Sequence, residues 1–390
     1  MWHHSKFIAV CVLLIGSIVN AQNSPDQRAE ALIDKGLDYL KTQQKSDGGW
    51  ANPHEPPGFT ALALRAIVLD PKYSADTDFV KRGYDKLLSY QQSDGGIYED
   101  SLANYNTAIA ISALAAANDA KFKPNIEKAV AYLKSLQWMD MAGVDPQFKY
   151  QGEKDAWYGG WGYSGKTHSR GRPDLSNTQM AIDALHDAGV SPDDPSFKAA
   201  LKFVGRLQNS SETNDQSWAG NDGGFVYSPG DDRKGSSAAG DFTSPEGDRR
   251  LRSYGSMTYA GLKSFIYAGL SKSDPRVRAA WDWITKNWTL SENPGMRLGK
   301  PENAQQGLYY YYHTLSRALG AYAQANIDDP QGAAHDWRIE LIDKLASLQK
   351  PDGSWAGEKR WMEDNPVLVT SYCVLALEEA RKDLKEHPGK

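Results

Sequence analysis

Cysteine is nearly absent from this chain: of 390 residues only Cys11 and Cys373 are cysteines. Cys11 falls in an apolar stretch near the N-terminus, so the rest of the chain has no internal disulfide and no cysteine cluster for a metal. Cys373 stands in VTSYCVLAL, an apolar setting at helical spacing that reads as a buried, inert thiol rather than a nucleophile. An excess of one charge is lacking too. The formal net charge is −5, from 44 Lys and Arg against 49 Asp and Glu, which gives no general pull on nucleic acid or anionic lipid. After the first twenty or so residues no apolar run is long enough to span a bilayer.

One apolar run does exist. Lys6 precedes the apolar segment Phe7 to Val19, and Val19-Asn20-Ala21 offers small residues before Gln22. This is the pattern of a secretory signal peptide cut after Ala21. The expectation is residues 1–21 as signal, residues 22–390 as one domain, and a soluble protein that is secreted or periplasmic.

What the chain has in plenty is repetition. KGLDYLKTQQKSDGGW, from Lys35 to Trp50, returns as RGYDKLLSYQQSDGGI from Arg82 and as ELIDKLASLQKPDGSW from Glu340. KAVAYLKSLQ from Lys128 reaches its Gly-Gly-Trp only at Trp161, and AALKFVGRLQ from Ala199 reaches Gly-Gly-Phe at Phe225. AAWDWITKNW, from Ala279, puts Trp288 where the others have Gln. A second phrase follows each turn: FTALALRAI, NTAIAISAL, NTQMAIDAL, MTYAGLKSF, HTLSRALGA and VTSYCVLAL, all with Thr as the second residue. Such self-similarity marks stacked units, none of which can bury its apolar face alone.

In both phrases apolar residues recur at three and four, as in Leu62, Ile67 and Leu37, Leu40, which is helical spacing. Each repeat is therefore a helical hairpin whose Asp-Gly-Gly turn supplies the positive φ that ends a helix. The less charged second helix should lie inside. Open arrays need polar end repeats, yet the first and last copies match the pattern well, so six hairpins closed into a ring are expected.

The Gln to Gly-x-Trp phrases resemble the QW repeats of squalene-hopene cyclases and the wider prenyltransferase and squalene-oxidase repeat superfamily. The resemblance covers roughly residues 27–382 and implies an all-α fold, the alpha/alpha toroid or alpha6/alpha6 barrel. Any activity it implies is that of a terpene cyclase/mutase-like isomerase acting on an isoprenoid-like or other apolar small molecule, with no cofactor. It also implies where an acid would stand. The cyclases' Asp-x-Asp-Asp-Thr phrase falls on Asp174-Leu175-Ser176-Asn177-Thr178, which keeps Asp174 and Thr178 but has Ser176 in place of the acid. Asp174 is thus a catalytic candidate and equally a helix N-cap. Prenyltransferase beta subunits bind zinc through Asp, Cys and His, and His313 falls on the histidine. Arg252 and Tyr254 stand where the other ligands would be, so no metal site is expected and His313 remains a lone catalytic candidate. A thioester centre is excluded for want of a Cys with a nearby downstream Gln.

Hairpins three to six carry long insertions between the outer helix and the next inner one, so a ring would gather them on one face beside the inner-helix N-termini. Helix N-termini there should favour an acidic or electron-rich ligand. The insertions hold an aromatic store: Trp157, Tyr158, Trp161, Tyr163, Phe225, Tyr227, Tyr254, Tyr309 to Tyr312, and Trp361. Trp157, Trp161, Tyr163, Tyr254, Tyr309, Tyr312 and Trp361, with His168, Arg170 and Asp364, form the expected ligand-binding set. Rings of this kind hold a polyprene and attract carbocations. Other polar candidates are Asp241, Glu246, Asp248, Arg249, Arg250 and Glu363. Paired carboxylates beside aromatic platforms also suit a secreted carbohydrate-active alpha/alpha-barrel enzyme, and the missing acid and zinc ligands also suit a non-catalytic interaction scaffold.

Overall fold

The computed structural model describes residues 24–140, 142–166, 171–230 and 232–388. The signal-peptide segment, His168 and Arg170 lie outside the described residues. Six hairpins follow in chain order. They are α1 (Pro25–Thr42) with α2 (Gly58–Leu69), α3 (Asp78–Leu88) with α4 (Ala103–Ala116), and α5 (Lys123–Ser135) with α6 (Leu175–Asp187). The other three are α7 (Pro195–Gly205) with α8 (Gly255–Tyr267), α9 (Pro275–Lys286) with α10 (Leu308–Tyr322), and α11 (Trp337–Leu348) with α12 (Pro366–Glu386). Two small antiparallel ribbons decorate the loops, β1 (Asp241–Thr243) with β2 (Arg249–Leu251) and β3 (Asn326–Asp328) with β4 (Ala334–Asp336).

Burial separates the two layers. In α2 every residue from Gly58 to Ile67 is buried, whereas α3 buries only Val80, Gly83, Tyr84 and Leu87. A helix apolar all round belongs in the interior, and one with a single apolar stripe belongs on the outside. Each even-numbered helix packs on the next, α2 on α4 and so on to α12, and α12 packs back on α2. The fold is an alpha/alpha toroid. At the closing seam Arg381 meets Asp26 at 2.7 Å and Arg28 pairs with Asp343.

The repeated residues act as clamps. The Gln44 amide donates to Gly48 O at 2.9 Å and to Phe79 O, in the next outer helix, at 2.7 Å. Gln91, Gln137 and Gln208 do the same to Gly95 and Asn125, to Gly159 and Ser196, and to Gly223 and Arg276. Trp288, in the Gln place of hairpin five, reaches the next outer helix by donating to Glu340 Oε2 at 3.0 Å. The turn glycine is compulsory: Gly159 has φ +85, and a Cβ there would stand 2.0 Å from Ala199 O. Thr60, Thr107, Thr178, Thr258 and Thr370 each accept the backbone N–H of Trp50, Ile97, Trp161, Phe225 and Trp355 at 2.9–3.1 Å.

Hairpin five breaks this register. Thr314 Oγ1 bonds Tyr310 O within its own helix. Tyr312 instead sits four residues after the start of α10, as Thr107 and Thr370 do after theirs, and its hydroxyl donates to Leu290 O at 2.5 Å. The threonine of HTLSRALGA is therefore two places past the position it resembles.

Candidate functional site

A cavity of about 590 Å³ opens at the N-terminal ends of the inner helices, within the size range of small-molecule sites. Every inner helix contributes from its first turns: Phe59, Tyr105, Ser176 with Met180, Ser256 with Met257, Tyr310, and Leu368 with Tyr372. Loops add Tyr163, Tyr227, Tyr254 and the stretch Arg360 to Glu363. The lining thus holds six tyrosines, a phenylalanine and a tryptophan. Burial pushes the phenols of Tyr105, Tyr227, Tyr254, Tyr310 and Tyr372 up, so all stay neutral donors. Tyr310 is fixed by Ser176 Oγ at 3.0 Å and by the Gln179 amide at 3.2 Å.

Roughly two turns deeper, about 10 Å at 1.5 Å per residue, buried charge fills the middle of the ring. Arg65 of α2 and Arg317 of α10 both hold Asp187 of α6, at 3.0 and 3.1 Å, and Lys263 of α8 holds Asp183 at 2.7 Å. Unpaired, these charges would be very costly in this setting. His313 belongs to this layer. Its ring stacks on Tyr372 at 5.1 Å, and burial, with Lys263 and Arg65 close by, holds its pKa well below the ordinary value, so it is neutral.

Of the residues expected to bind ligand, Tyr163, Tyr254 and Trp361 line the cavity. Trp157 does not. It packs with Trp138, Phe148 and Tyr150 in a separate cluster. Trp161 is a repeat residue, fully buried, its indole N–H on Leu133 O at 2.8 Å. Tyr309 and Tyr312 are buried on the faces of α10 that turn away from the lining, and Tyr310 takes the inward place. Asp364 is exposed, while its neighbour Glu363 is buried in the wall. Asp174 is the N-cap of α6, its carboxylate accepting both the backbone and the side-chain amide of Asn177 at 2.8 Å. Burial raises its pKa to about 7 against those bonds and one from Tyr227.

At five of the six inner helices a side chain takes one or two of the first-turn N–H groups. Asn106 Oδ1 takes Gly58 N at 2.9 Å, Asn293 Oδ1 takes Ser256 N at 3.1 Å, and Asn365 takes Val367 N at 3.0 Å. Asp174 and Glu363 cap α6 and α10 in the same way. Part of the donor capacity expected at these helix ends is thus taken by the protein's own side chains, while α4 has no side-chain cap and its Asn104 N–H donates to Tyr163 O at 3.1 Å.

No family model matches the chain. A squalene–hopene cyclase of Bradyrhizobium diazoefficiens is 25% identical over 181 residues, which are 46% of this chain and 20% of the cyclase. The chain therefore matches about a fifth of that relative's length. The type II terpene cyclase MstE from Scytonema, in complex with geranylgeranyl dihydroxybenzoate, superposes with a TM-score of 0.55 at 12% identity, over 92% of this chain and 99% of that one. The fold is a squalene-cyclase-like toroid. An unsaturated glucuronyl hydrolase specific for heparin shares the architecture, with a TM-score of 0.57 at 13% identity over 93% and 98% of the two chains. At such identities the toroid is common ground, and the chemistry has to be read from the cavity of this toroid.

Among the described residues no helix is long and apolar enough to cross a membrane, and no group of three or more His, Cys, Asp or Glu is placed to hold a metal.

The expected ligand-binding set includes neither Tyr105 nor Tyr372, because one stands just before a repeat phrase and the other inside one, and both look like ordinary core. The signal that finds them is register: both fall two places from the repeat threonine, Thr107 and Thr370.

Proposed function

We propose that this toroid binds an isoprenoid-like apolar small molecule in the tyrosine-walled cavity, with any conversion being a proton-transfer isomerisation of terpene cyclase/mutase type. The observation that carries the reading is the lining itself, eight aromatic rings with methionine and leucine around about 590 Å³. Their π faces offer contact area to a hydrocarbon and, for a cationic intermediate, attraction of about 0.5–2 kcal/mol per ring. Glu363 is the one carboxylate among the described lining residues, whereas glycoside hydrolysis calls for a facing pair, which weighs against the carbohydrate reading. A cavity of this size at the helix ends, above the charge-filled middle of the ring, also weighs against a scaffold without a ligand.

We also propose export, from the pattern of residues 1–21. The N-terminus of the mature protein, read by mass spectrometry after expression in a bacterial host, should begin at Gln22.

The test of ligand class is direct titration. Polyprenes and unsaturated glucuronyl disaccharides are each added to the purified protein, with tryptophan fluorescence and calorimetry as readouts. Saturable binding of the polyprene, weakened by Trp361→Ala, is the expected result. Binding of the sugars with none of the polyprenes overturns it.

A further inference from the structure

Glu363 sits oddly in a wall built of rings. Only 1% of it is exposed. Its Oε1 accepts the Tyr310 N–H at 2.8 Å at the start of α10, with Tyr309 and Leu308 amides close enough to help hold the charge. Its Oε2 is buried and has no partner among the described residues. Buried polar atoms without partners are rare and call for an explanation. Gly357 packs tightly against this oxygen: a Cβ there would stand 3.2 Å from Oε2 and 2.9 Å from the Tyr309 ring, so only glycine lets the loop close over the carboxyl. The residues just before Glu363, Trp361 and Met362, both hold positive φ, +57 and +64. Backbone strain of this kind in non-glycine residues concentrates at functional sites.

Resting on the cavity reading above, we propose that Glu363 is a hydrogen-bond donor of this site, beside the lining phenols. We further propose that the preferred ligand is a neutral carbonyl compound, a ketone or quinone on an apolar frame, rather than a plain hydrocarbon or a phosphate ester. Three observations favour a neutral acceptor. Asn106, Asp174, Asn293, Glu363 and Asn365 take first-turn amides at five of the six inner helices, which reduces what those ends offer an anion. Among the described lining residues Arg360 is the only cation, and it lies over Trp361, 5.3 Å from the ring centroid, at the exposed mouth. A carboxyl flanked by the phenols of Tyr309, Tyr312 and Tyr372 and the thiol of Cys373 has apolar or neutral company on α10 and α12, and on its own loop only Glu358 adds charge close enough to raise it.

Burial outweighs the three amides and pushes the carboxyl up to about 7. At and below neutral pH Oε2 therefore carries a proton and donates; above it, the oxygen becomes a charged acceptor that repels a carbonyl. A hydrocarbon would leave this oxygen unmatched at every pH.

The test uses the full mature chain and three probes of equal chain length: a polyprenyl methyl ketone, the parent polyprene and the polyprenyl diphosphate. Calorimetry from pH 5.5 to 8.5 reads affinity. The ketone should bind at least tenfold tighter than the hydrocarbon at pH 6 and lose about tenfold per pH unit above 7. Glu363→Gln keeps the cap through its carbonyl and donates through its amide, so its affinity should be high and flat with pH. Glu363→Leu should bind the ketone at least tenfold more weakly than the wild type at pH 6 and with no dependence on pH. Equal affinity for ketone and hydrocarbon, or a flat wild-type profile, sinks this inference and leaves the apolar cavity standing. Failure of all three probes sinks both.

Discussion

Gln349 of the last hairpin donates its side-chain amide to Leu32 O of the first helix at 3.0 Å and to Gly353 O of its own turn at 3.0 Å. One residue thus joins the two ends of the repeat array. Gln349→Ala leaves two carbonyls short of a donor, a loss of about 1–3 kcal/mol. Urea unfolding should show that drop with an unchanged slope. Gln43→Ala, at a neighbouring glutamine whose amide reaches only Thr42 Oγ1, should change stability by less than about 0.5 kcal/mol. Equal effects would remove the glutamine clamp from the account of closure.

Two glycines separate backbone conformation from steric room. Gly353 has φ +88 and a Cβ there would meet Lys35 O at 2.3 Å, whereas Gly332 has φ +87 with nothing within 4 Å. Gly332→Ala should cost about 1 kcal/mol for the left-handed backbone alone. Gly353→Ala carries that cost plus displacement of α1, and should lose at least twice as much in thermal or urea unfolding. Similar losses at both sites would mean that α1 yields easily.

Much of this architecture could be read in advance, because glutamine, glycine and threonine each do a fixed geometric job at a fixed place in the repeat. The ring, the two layers and the gathering of loops at one end all follow from those spacings. The site was less legible. In the run Tyr309 to Tyr312 composition does not say which ring faces inward, and the two-residue shift of Thr314 points to the wrong one. Asp364 and Glu363 are adjacent in sequence, yet one is exposed and the other is buried in the wall, a difference set by the left-handed backbone at Trp361 and Met362. The insertions do not repeat, so periodicity carries no information about them.

The charge layer below the cavity predicts a strong asymmetry. Lys263 is 1% exposed and bonded to Asp183 at 2.7 Å. Lys263→Met strands a buried carboxyl and should cost about 3–5 kcal/mol. Lys263→Met combined with Asp183→Leu should recover most of that loss. A double variant as unstable as the single one would show that the neighbouring Arg65 and Arg317 depend on this pair.

Tryptophans distinguish contact from scaffold. Trp361 is 44% exposed at the mouth and Trp161 is fully buried with its N–H on Leu133 O. Trp361→Ala should weaken polyprene binding severalfold and leave the melting temperature almost unchanged. Trp161→Phe should lower stability by about 1–3 kcal/mol through the lost bond and leave affinity intact. The reverse pattern would move the ligand site away from the rim.

Stability should fall as pH rises through the acid range, opposite to the trend set by ordinary salt-bridged carboxylates. Glu363 titrates at about 7 in the fold against its usual 4.5. Between those values the folded state holds a proton that the unfolded chain has released. Raising the pH across this window therefore favours the unfolded chain, and the effect levels off above about 7. A shift of this size corresponds to about 3 kcal/mol for the one group, and Asp174, also raised to about 7, acts in the same direction. Urea unfolding at pH 5 and pH 8 should show wild-type protein losing more stability than Glu363→Gln by roughly that amount. Parallel losses in the two proteins would mean that Glu363 ionises as readily in the fold as in the open chain, and its role as a protonated donor would go with it.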